Sequence, residues 1–503
     1  GDLRNAYTPS FSLLGAESLI MEQSDIGRIS DAIKNCLRCG KCKPVCSTHV
    51  PRANLLYSPR DKILGTSLLI EAFLYEEQTR RGISLQHFDE FSDVADHCTV
   101  CHRCVKPCPV DIDFGDVSVA MRNFLRKQGK KKFNPGTFAA MTFLNAKDPR
   151  VIGLLRKTMM DIGFKAQRLA YRFAKSLAPI RHTRSQPPAT LGRPTLKTQV
   201  IHFMNRPMPG NLPKRTARGL LDIEDDKLIP VIRDPRKAAE DSEAVFYFPG
   251  CGSERLFSQV GLATQAMLYE VGATTVLPPG YLCCGYPQNA AGEEDKGQKI
   301  SMDNRVLFHR VANTLNYLDI KTVIVSCGTC MDQLLKYEFE KIFPGCRLLD
   351  IHEYLMEKGV KLNGVSGVRY MYHDPCHTPM KTYAPLAVTN QLMGQEVPLT
   401  DRCCGDAGSF AYSRPDVATQ VKFRKQEEIV RGAARLRADG FSGEVKILTS
   451  CPACLQGLSR YDEDAGTQAD YIVVEIAEAL LGPDWLPNYV HAANTGGIER
   501  VLL

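Results

Sequence analysis

The chain has 503 residues, of which 44% are apolar and 24% are charged, and its net charge is +7. This balance is ordinary for globular proteins and excludes a disordered chain, a collagen and a coiled-coil rod. The length gives room for about three domains. No apolar run is long enough for a spanning helix, and the first residues carry no secretion-signal pattern. The missing initiator methionine suggests a processed chain or a piece of a longer protein.

Nineteen cysteines are the most informative part of the composition. Disulfides explain them poorly, because the number is odd, no secretion signal is visible and the cysteines fall in tight clusters. Reduced thiolates that hold metal inside a cell fit better. We therefore expect a cytoplasmic protein, and a peripheral position on the inner face of the membrane stays open as an alternative.

The first predicted domain covers residues 20–130 and is mostly helical. A helix is predicted from Pro59, because apolar residues then recur at helical spacing. Cysteine runs on both sides of this helix have the spacing C-x2-C-x2-C-x3-C, which is the bacterial [4Fe–4S] ferredoxin pattern. Three closely spaced thiolates can wrap one face of a cluster while the fourth points to the other cluster. The predicted ligands are Cys36, Cys39, Cys42 and Cys108 for site I, and Cys98, Cys101, Cys104 and Cys46 for site II.

Zinc and accidental spacing are the alternatives for these runs. Zinc sites usually combine two C-x2–4-C pairs, which two runs of three plus one match poorly. Pro109 follows the last cysteine of the second run, whereas Ser47 takes that place in the first run.

Residues 131–242 are predicted to form a basic helical segment followed by a proline-rich linker or strap over 183–218. Between residues 122 and 184 there are 16 lysines and arginines and only two acids. This basic face can simply be solvated, or it can dock on an acidic protein or on an anionic membrane surface. We expect no nucleic-acid partner, because no binding motif is present.

The rest of the chain alternates short β-branched runs with helical stretches, which is typical of α/β domains. A cysteine pattern also repeats, so we predict two domains, 243–365 and 366–503, that face one another in a pseudo-two-fold repeat. Each domain has a lone cysteine, a Cys-Cys-Gly triplet and a C-x-x-C pair. The first set is Cys251, Cys283, Cys284, Cys327 and Cys330, and the second set is Cys376, Cys403, Cys404, Cys451 and Cys454.

These motifs resemble the CCG domain of the heterodisulfide reductase family. They are PGC at 249–251, CCGY at 283–286, SCGTC at 326–330, HDPCH at 373–377, CCG at 403–405 and SCPAC at 450–454. Relatives include glycolate oxidase and glycerol-3-phosphate dehydrogenase iron–sulfur subunits and lactate-utilisation proteins. The resemblance covers nearly the whole chain outside the basic segment and linker. The chain resembles above all the C-terminal portion of large bacterial proteins in which an FAD-linked oxidase precedes such a module.

The resemblance implies an α+β multidomain fold, with a helical two-cluster [4Fe–4S] ferredoxin domain followed by two α/β CCG domains. In that family some CCG copies bind a non-cubane [4Fe–4S] cluster through five cysteines, and others bind a conventional one. One or two further clusters are therefore expected here. A C-x-x-C pair can also be a redox dithiol or half of a zinc site, and these alternatives stay open.

Several residues near the motifs are not predicted ligands. His373 and His377 flank Cys376 and can ligate metal, but a turn histidine explains them equally well. Cys346 is predicted to be a buried apolar residue. Packing is expected for Tyr286, Tyr412 and Trp485.

The function predicted from the resemblance is electron transfer. The chain would be the iron–sulfur module of an FAD-dependent 2-hydroxyacid dehydrogenase of the glycolate or D-lactate type. FAD would lie on a partner or fused domain, and electrons would pass to a quinone or a membrane redox protein. No catalytic residue and no flavin, nicotinamide or ATP motif is found on this chain. The alternatives are a heterodisulfide-reductase-like catalyst that acts on disulfides at a CCG cluster, and a redox-silent docking scaffold.

Overall fold

The N-terminal part of the chain is a helical domain. The computed structural model describes residues 23–49, 58–78, 85–185, 194–210, 212–237, 242–406 and 410–503. Hydrogen bonds from backbone N–H groups to the side chains of Ser24 and Asp113 cap the N-termini of the first and fourth helices of this domain. Tightly packed aromatic rings, including Phe73, Phe91 and Phe124, fill the space between them. The helices are α1 (Asp25–Ile33), α2 (Pro59–Gln78), α3 (Leu85–Asp96) and α4 (Phe114–Lys127), so the helix predicted from Pro59 is confirmed.

The basic segment forms helices that cover the later domains. Its longest stretch buries Ile152, Met160 and Tyr171 on one face. The buried Arg156 donates hydrogen bonds to the carbonyls of Pro213 and Arg255, which ties this helix to the α/β part. The helices are α5 (Pro135–Asn145), α6 (Pro149–Arg156), a π-helical stretch (Lys157–Phe164), α7 (Lys165–Ala174), α8 (Ala178–Ser185), α9 (Leu196–Phe203) and α10 (Ala217–Leu221).

The described part of the predicted linker is packed rather than free. Arg460, which is buried, donates hydrogen bonds to the carbonyls of Phe203, Arg206 and Pro207 at 3.0–3.2 Å. These carbonyls have no helical partners, so a side chain from the C-terminal part satisfies them. The segment therefore lies as a strap against the second cysteine-rich domain.

The first α/β domain contains a six-stranded sheet in the order β10-β1-β3-β2-β4-β5. Its strand β2 is apolar at every position and buried on both faces, which is typical of a central parallel strand covered by helices. The strands are β1 (Leu228–Ile232), β2 (Ala244–Phe248), β3 (Thr274–Val276), β4 (Ile320–Val325), β5 (Arg347–Asp350) and β10 (Ile498–Leu502). The helices are α11 (Ser258–Glu270), α12 (Tyr286–Ala290), α13 (Glu294–Thr314), α14 (Gly328–Leu334) and α15 (Ile351–Glu357), with shorter turns at Gly252–Leu256, Leu335–Tyr337 and Phe339–Lys341.

The second α/β domain contains a four-stranded parallel sheet in the order β7-β6-β8-β9. Its strands are β6 (Val368–His373), β7 (Leu399–Thr400), β8 (Glu444–Thr449) and β9 (Gln468–Tyr471). Its helices are α16 (Pro385–Met393), α17 (Phe410–Ser413), α18 (Pro415–Leu436), α19 (Pro452–Leu458), α20 (Asp462–Ala465), α21 (Ile472–Leu481) and α22 (Trp485–Ala492), with shorter turns at Ser459–Tyr461 and Ala493–Gly497.

The two sheets share one topology. The parallel strands β3-β2-β4-β5 have the same order along the chain as β7-β6-β8-β9. The four β-branched runs that precede cysteines are strands β2, β4, β6 and β8, as predicted. The exact two-fold relation of the copies stays a prediction.

The domain limits differ from the prediction in two places. Strand β1 lies inside the predicted segment 131–242, after its proline-rich linker, and strand β10 lies inside the predicted second CCG domain, yet they pair with each other and extend the first sheet. Both strands add apolar residues to the first domain's core or its margin, including Ile229, Val231 and Val501. Their backbone pairing, and not chain order, decides the sheet to which they belong.

Candidate metal centres

Two hollows in the helical domain are lined by cysteines from both ferredoxin-type runs. Cys104 borders both hollows. The other cysteines of the first hollow are Cys36, Cys39, Cys42 and Cys108, and those of the second hollow are Cys46, Cys98 and Cys101. The last cysteine of each run thus lies at a cavity lined by the first three cysteines of the other run, and the division of the eight cysteines into two ligand sets stays a prediction.

The two runs also share an unusual backbone. Arg38 and Val100, each two residues after the first cysteine of its run, have φ angles of 54° and 53°. A β-branched residue rarely takes this left-handed conformation, so the turn at Val100 is strained. The turn lets the N–H of Val100 donate to Cys98 Sγ at 3.4 Å, and the N–H of Ile112 donates to Cys108 Sγ at 3.3 Å. Such N–H···S hydrogen bonds stabilise thiolate ligands.

Positive charge lies close to the second hollow. Lys62 lines it, is 2% exposed, and donates to Thr48 Oγ1 and to the carbonyl of His97, both at 3.0 Å. Burial raises the pKa of the Cys104 thiol to about 12. That sulfur therefore needs a cation or a metal to be held as thiolate.

In the first α/β domain, five cysteines converge at the carboxyl ends of the parallel strands. Cys251 follows β2, the Cys283–Cys284 pair follows β3, and Cys327 caps the N-terminus of α14 after β4. The Sγ atoms of Cys251 and Cys283 are 4.0 Å apart. Their hydrogen bond lowers the pKa of Cys283 and raises the pKa of Cys251. Cys330 completes the group, with its thiol in hydrogen-bond contact with Cys284.

The second α/β domain repeats this arrangement. Cys404 and Cys454 Sγ atoms are 3.6 Å apart, and Cys451 caps the N-terminus of α19 after β8. Gly405 has a φ of 80°, and a Cβ atom there would lie 2.6 Å from the side chain of Lys422. The glycine after the twin cysteines therefore allows close approach, and its N–H donates to Cys403 Sγ at 3.4 Å.

The three cysteine-bearing domains meet through their thiols. The thiol of Cys376, in the second set, lies beside Cys101 of the helical domain, and the interaction of the two thiols lowers the pKa of Cys101 to about 5. The thiol of Cys451 lies beside Cys327 of the first set and, after Cys330, is the next largest cause of the lowered pKa of Cys327. Cysteines thus form a continuous series from the helical domain through the second set to the first.

Polar side chains near the motifs also connect the helical domain to the two α/β domains. Tyr286 Oη donates to the carbonyl of Val100 at 3.3 Å, and His377 Nε2 lies 2.9 Å from the same oxygen. His377 Nδ1 pairs with Asp332 at 2.5 Å, and Lys381 pairs with the other carboxylate oxygen at 2.9 Å. Tyr286 was expected to pack only, and its hydroxyl instead joins the first α/β domain to the helical domain. Its place beside the twin cysteines was the only sequence signal.

The remaining residues singled out in the sequence have simpler roles. Cys346 is half-buried against the core of the first domain, away from the other cysteines, and burial raises its pKa to about 11. Trp485 is buried in the core, as expected. Tyr412 packs on Phe203 and accepts a hydrogen bond from Gln456 at 3.1 Å.

The donor set suits iron–sulfur clusters. All 18 cysteines of the motifs lie in groups of four or five at which thiol sulfur is the principal ligand type, and backbone N–H groups point at several sulfurs. Soft thiolate ligands of this kind select iron–sulfur clusters or zinc, and groups of four match the cysteine requirement of a [4Fe–4S] cluster.

Comparison with protein families agrees with this geometry. Residues 32–112 match the profile of a 4Fe-4S dicluster domain, and residues 245–335 and 370–459 each match the profile of the cysteine-rich CCG domain. Residues 459–503 match a domain of unknown function. The chain is therefore an iron–sulfur protein that combines a dicluster domain with two CCG domains, and it carries several sites for 4Fe–4S clusters.

Similar curated proteins extend over most of the chain. The probable glycolate oxidase iron-sulfur subunit of Bacillus subtilis is 24% identical, over 89% of this chain and 93% of that protein. A subunit of the dihydromethanophenazine:CoB–CoM heterodisulfide reductase of Methanosarcina barkeri is 23% identical, over 88% and 92%. Lactate utilization protein A of Exiguobacterium is 22% identical, over 38% and 83%. The resemblance predicted from the motifs is thereby confirmed.

Two further comparisons limit the description. No solved structure gives a significant match to the chain. Among the described residues, no helix combines the length and apolar character that crossing a membrane requires.

Proposed function

We propose that the chain is a linear electron-transfer module. The observation that carries the proposal is the approach of the cysteine loops to one another: Arg103 donates to the carbonyl of Asp401, and Gly328 lies against the carbonyl of His377. At these two places Cys101 interacts with Cys376 and Cys327 interacts with Cys451, as their shifted pKa values indicate. The series gives an order that the sequence alone does not: site I, site II, the second CCG set and then the first CCG set. Bound [4Fe–4S] clusters accept and release single electrons.

The proposed ligands follow the groups described above. Site I would be held by Cys36, Cys39, Cys42 and Cys108, and site II by Cys46, Cys98, Cys101 and Cys104. The CCG sites would be held by Cys251, Cys283, Cys284, Cys327 and Cys330, and by Cys376, Cys403, Cys404, Cys451 and Cys454. The cavity lining supports the first two groups, and the convergence of loops at the strand ends supports the others.

Two arginines hold the cysteine-bearing domains in fixed positions relative to one another. Arg122 donates to the carbonyls of Ala95 and Cys98 at 2.7–2.8 Å and to that of Ala290 at 2.6 Å, so it holds the second run against the first CCG domain. Arg103 donates to the carbonyl of Asp401 at 2.6 Å and holds the same run against the second CCG domain. These contacts keep adjacent sites at fixed separation, which electron transfer requires.

The proposed electron donor is a flavin-containing dehydrogenase of a 2-hydroxyacid such as glycolate or D-lactate. Support comes from the relatives named as glycolate oxidase and lactate utilization proteins, together with the lack of a flavin motif in this sequence. The proposed acceptor is a quinone or a membrane redox protein. The chain would transfer electrons between the two and would carry out no acid–base chemistry.

The face proposed for the flavoprotein is the outer side of residues 149–177. Helices α6 and α7 turn lysines and arginines outward together with an apolar stripe, which a merely solvated helix would not expose. Several of the large apolar side chains in this stripe are more than half exposed, and Phe173 is 76% exposed. An acidic partner with an apolar patch would match both properties. The stripe is Val151, Leu154, Ile162, Leu169, Phe173 and Leu177.

Disulfide chemistry at the CCG sites is the second candidate. It is favoured by two complete cysteine sets with thiols in contact, and by the relative named as part of a heterodisulfide reductase. Nine of the ten CCG cysteines are buried, however, which restricts access of a disulfide substrate to sulfur or metal. Burial therefore favours the relay.

The test uses the full chain, loaded with iron and sulfide without oxygen. We expect no oxidation of glycolate or D-lactate by the chain alone, no turnover of disulfides with a low-potential donor, and complete reoxidation of the dithionite-reduced chain by a short-chain quinone. Hydroxyacid oxidation without a flavoprotein would overturn the proposal. Multiple turnovers of a disulfide would establish the second candidate instead.

A further inference from the structure

The second CCG set contains a histidine that the first set lacks. His373 is the last residue of β6 and lies three residues before Cys376. Phe248 is the last residue of the equivalent strand β2 and lies three residues before Cys251. The two copies therefore present different side chains at the same point, beside otherwise matching cysteines.

His373 lies among the sulfurs. A ring nitrogen of His373 and the Sγ atoms of Cys404 and Cys454 all lie within 4.8 Å of one another, which is a spacing that one metal centre can bridge. The imidazole is 0% exposed. Phe248, by contrast, packs edge-on against Phe308 in an apolar core.

The hydrogen bonds of His373 define which nitrogen faces this group. Nδ1 lies 3.2 Å from the carbonyl of Thr400, and because a carbonyl only accepts, Nδ1 carries the proton. Lys425 donates to the same carbonyl at 3.1 Å and fixes its position. Nε2 is buried and has no hydrogen-bond partner among the residues that the structure describes. A neutral imidazole held through Nδ1 offers its Nε2 lone pair, which is the common arrangement of metal-binding histidines.

We propose that His373 Nε2 is a metal ligand of the second CCG site, alongside its cysteines. This inference rests on the proposed function in one respect, namely that the second CCG site holds a metal group. The first site, with Phe248 in the matching place, would be ligated by cysteine alone. At the iron that His373 binds, the neutral nitrogen would take the place of one of the five thiolates and leave the site less negative, and histidine ligation in place of cysteine raises the reduction potential of iron–sulfur centres. The two CCG sites would then differ in potential.

The experiment is pulsed EPR on the full chain, assembled anaerobically and poised by redox titration so that the second CCG site is paramagnetic. Protein from cells fed with ¹⁵N-histidine is compared with unlabelled protein. We expect a ¹⁴N coupling in the unlabelled protein that becomes a ¹⁵N coupling on labelling. This comparison needs no substitution, so it does not depend on whether a variant folds.

Variants then assign the coupling. His373→Phe, which installs the residue of the first copy, should abolish it and shift the potential of that site. The matched control is His352→Phe, which removes another fully buried histidine whose Nε2 has no described partner but whose ring packs at a tilt against Tyr471, outside the cysteine group. This control should leave the coupling unchanged.

Three results would overturn the inference: no histidine nitrogen coupling in the labelled parent protein, a coupling that survives in His373→Phe, or iron analysis showing no metal at the second CCG site. The electron relay is measured separately, by reoxidation with quinone. If the histidine nitrogen coupling is seen but quinone does not reoxidise the chain, His373 remains a ligand and the proposed electron-transfer function is wrong. If quinone reoxidises the chain but no coupling is seen, only the proposal that His373 is a ligand is wrong.

Discussion

Gly328 lies against the main-chain carbonyl of His377 so closely that a Cβ atom on Gly328 would be 1.5 Å from that oxygen. The reciprocal contact joins Pro452 to Gly252, where a Cβ atom would lie 3.0 Å from the proline ring. In both contacts the residue after the first cysteine of a C-x-x-C pair touches the residue after the lone cysteine of the other copy. The two CCG domains are therefore in contact through their metal-site loops.

Gly328→Ala should force these loops apart, because a carbonyl cannot yield by the distance that a methyl group needs. We expect lower iron content at the CCG sites and faster proteolysis between the domains. Gly153→Ala is the control, since a Cβ atom there meets nothing within 4 Å and the position is helical. Iron analysis and limited proteolysis of both variants check the prediction. Equal iron content in the two variants would contradict it.

Lys62→Met should lower the reduction potential of site II. Reduction adds an electron, and a buried cation at the cavity wall stabilises the reduced form, so its removal should shift the potential by tens of millivolts to more negative values. Lys106→Met serves as control, because Lys106 lies near the same cysteine run but is exposed to water and therefore screened. EPR-monitored redox titration measures both shifts. An unchanged potential in Lys62→Met would show that this cation does not act on site II.

Asp462 should make the protein less stable as the pH rises. Burial raises its pKa to about 7, whereas an aspartate in an unfolded chain has a pKa of about 3.9. Between these values the folded state keeps a proton that the unfolded state loses, so stability falls with increasing pH.

The Asp462→Asn variant should lose this contribution. The free energy of unfolding of this variant, relative to that of the parent protein, should therefore be higher at pH 8 than at pH 5. Glu463→Gln makes the same change of charge one residue further along the chain, where the glutamate is about half exposed. Denaturant unfolding without oxygen at both pH values decides the matter, and parallel pH curves for parent and Asp462→Asn would refute the prediction.

Phe173→Asp should weaken binding of the flavoprotein by at least about tenfold, equivalent to about 1.4 kcal/mol, because it places a charge in the apolar stripe. Stability should hardly change, since the side chain is 76% exposed. Met302→Asp is the control, as Met302 is 62% exposed on α13, outside the stripe. Calorimetric titration with the flavoprotein tests the pair. Equal affinities would place the docking face elsewhere.

Sequence reasoning was most successful where chemistry imposes a spacing. The grouping of Cys108 with the first run and Cys46 with the second follows from the ferredoxin pattern, because the intervals fix which sulfurs can reach one cluster. The strands before Cys251, Cys327 and Cys376 were recognisable because mostly buried parallel strands read as short, mainly apolar runs.

The same reasoning failed where contacts form between distant segments. Strand β10 joins the first sheet by pairing with β1, which lies far away in the chain, and no local pattern points to that partner. The positive φ of Val100 was equally invisible, since neither a valine nor Arg38 at the matching place of the first run gives a signal for a left-handed turn. Tyr286 and His377 both contact the carbonyl that this turn exposes, so the junction between domains was missed with it.

The exchange of cysteines between the two ferredoxin-type runs has a consequence for biosynthesis. The first hollow is completed by Cys108, which leaves the ribosome 66 residues after Cys42. A nascent chain that has exposed the first run therefore presents three thiols without the fourth, and Cys46 has no site to join until Cys98, Cys101 and Cys104 emerge. With the proposed ligand sets, neither cluster could be inserted by itself into half of the domain. Iron delivery to this protein would then have to wait for both runs, and a chain truncated between them would be a target for oxidation and degradation rather than a working half.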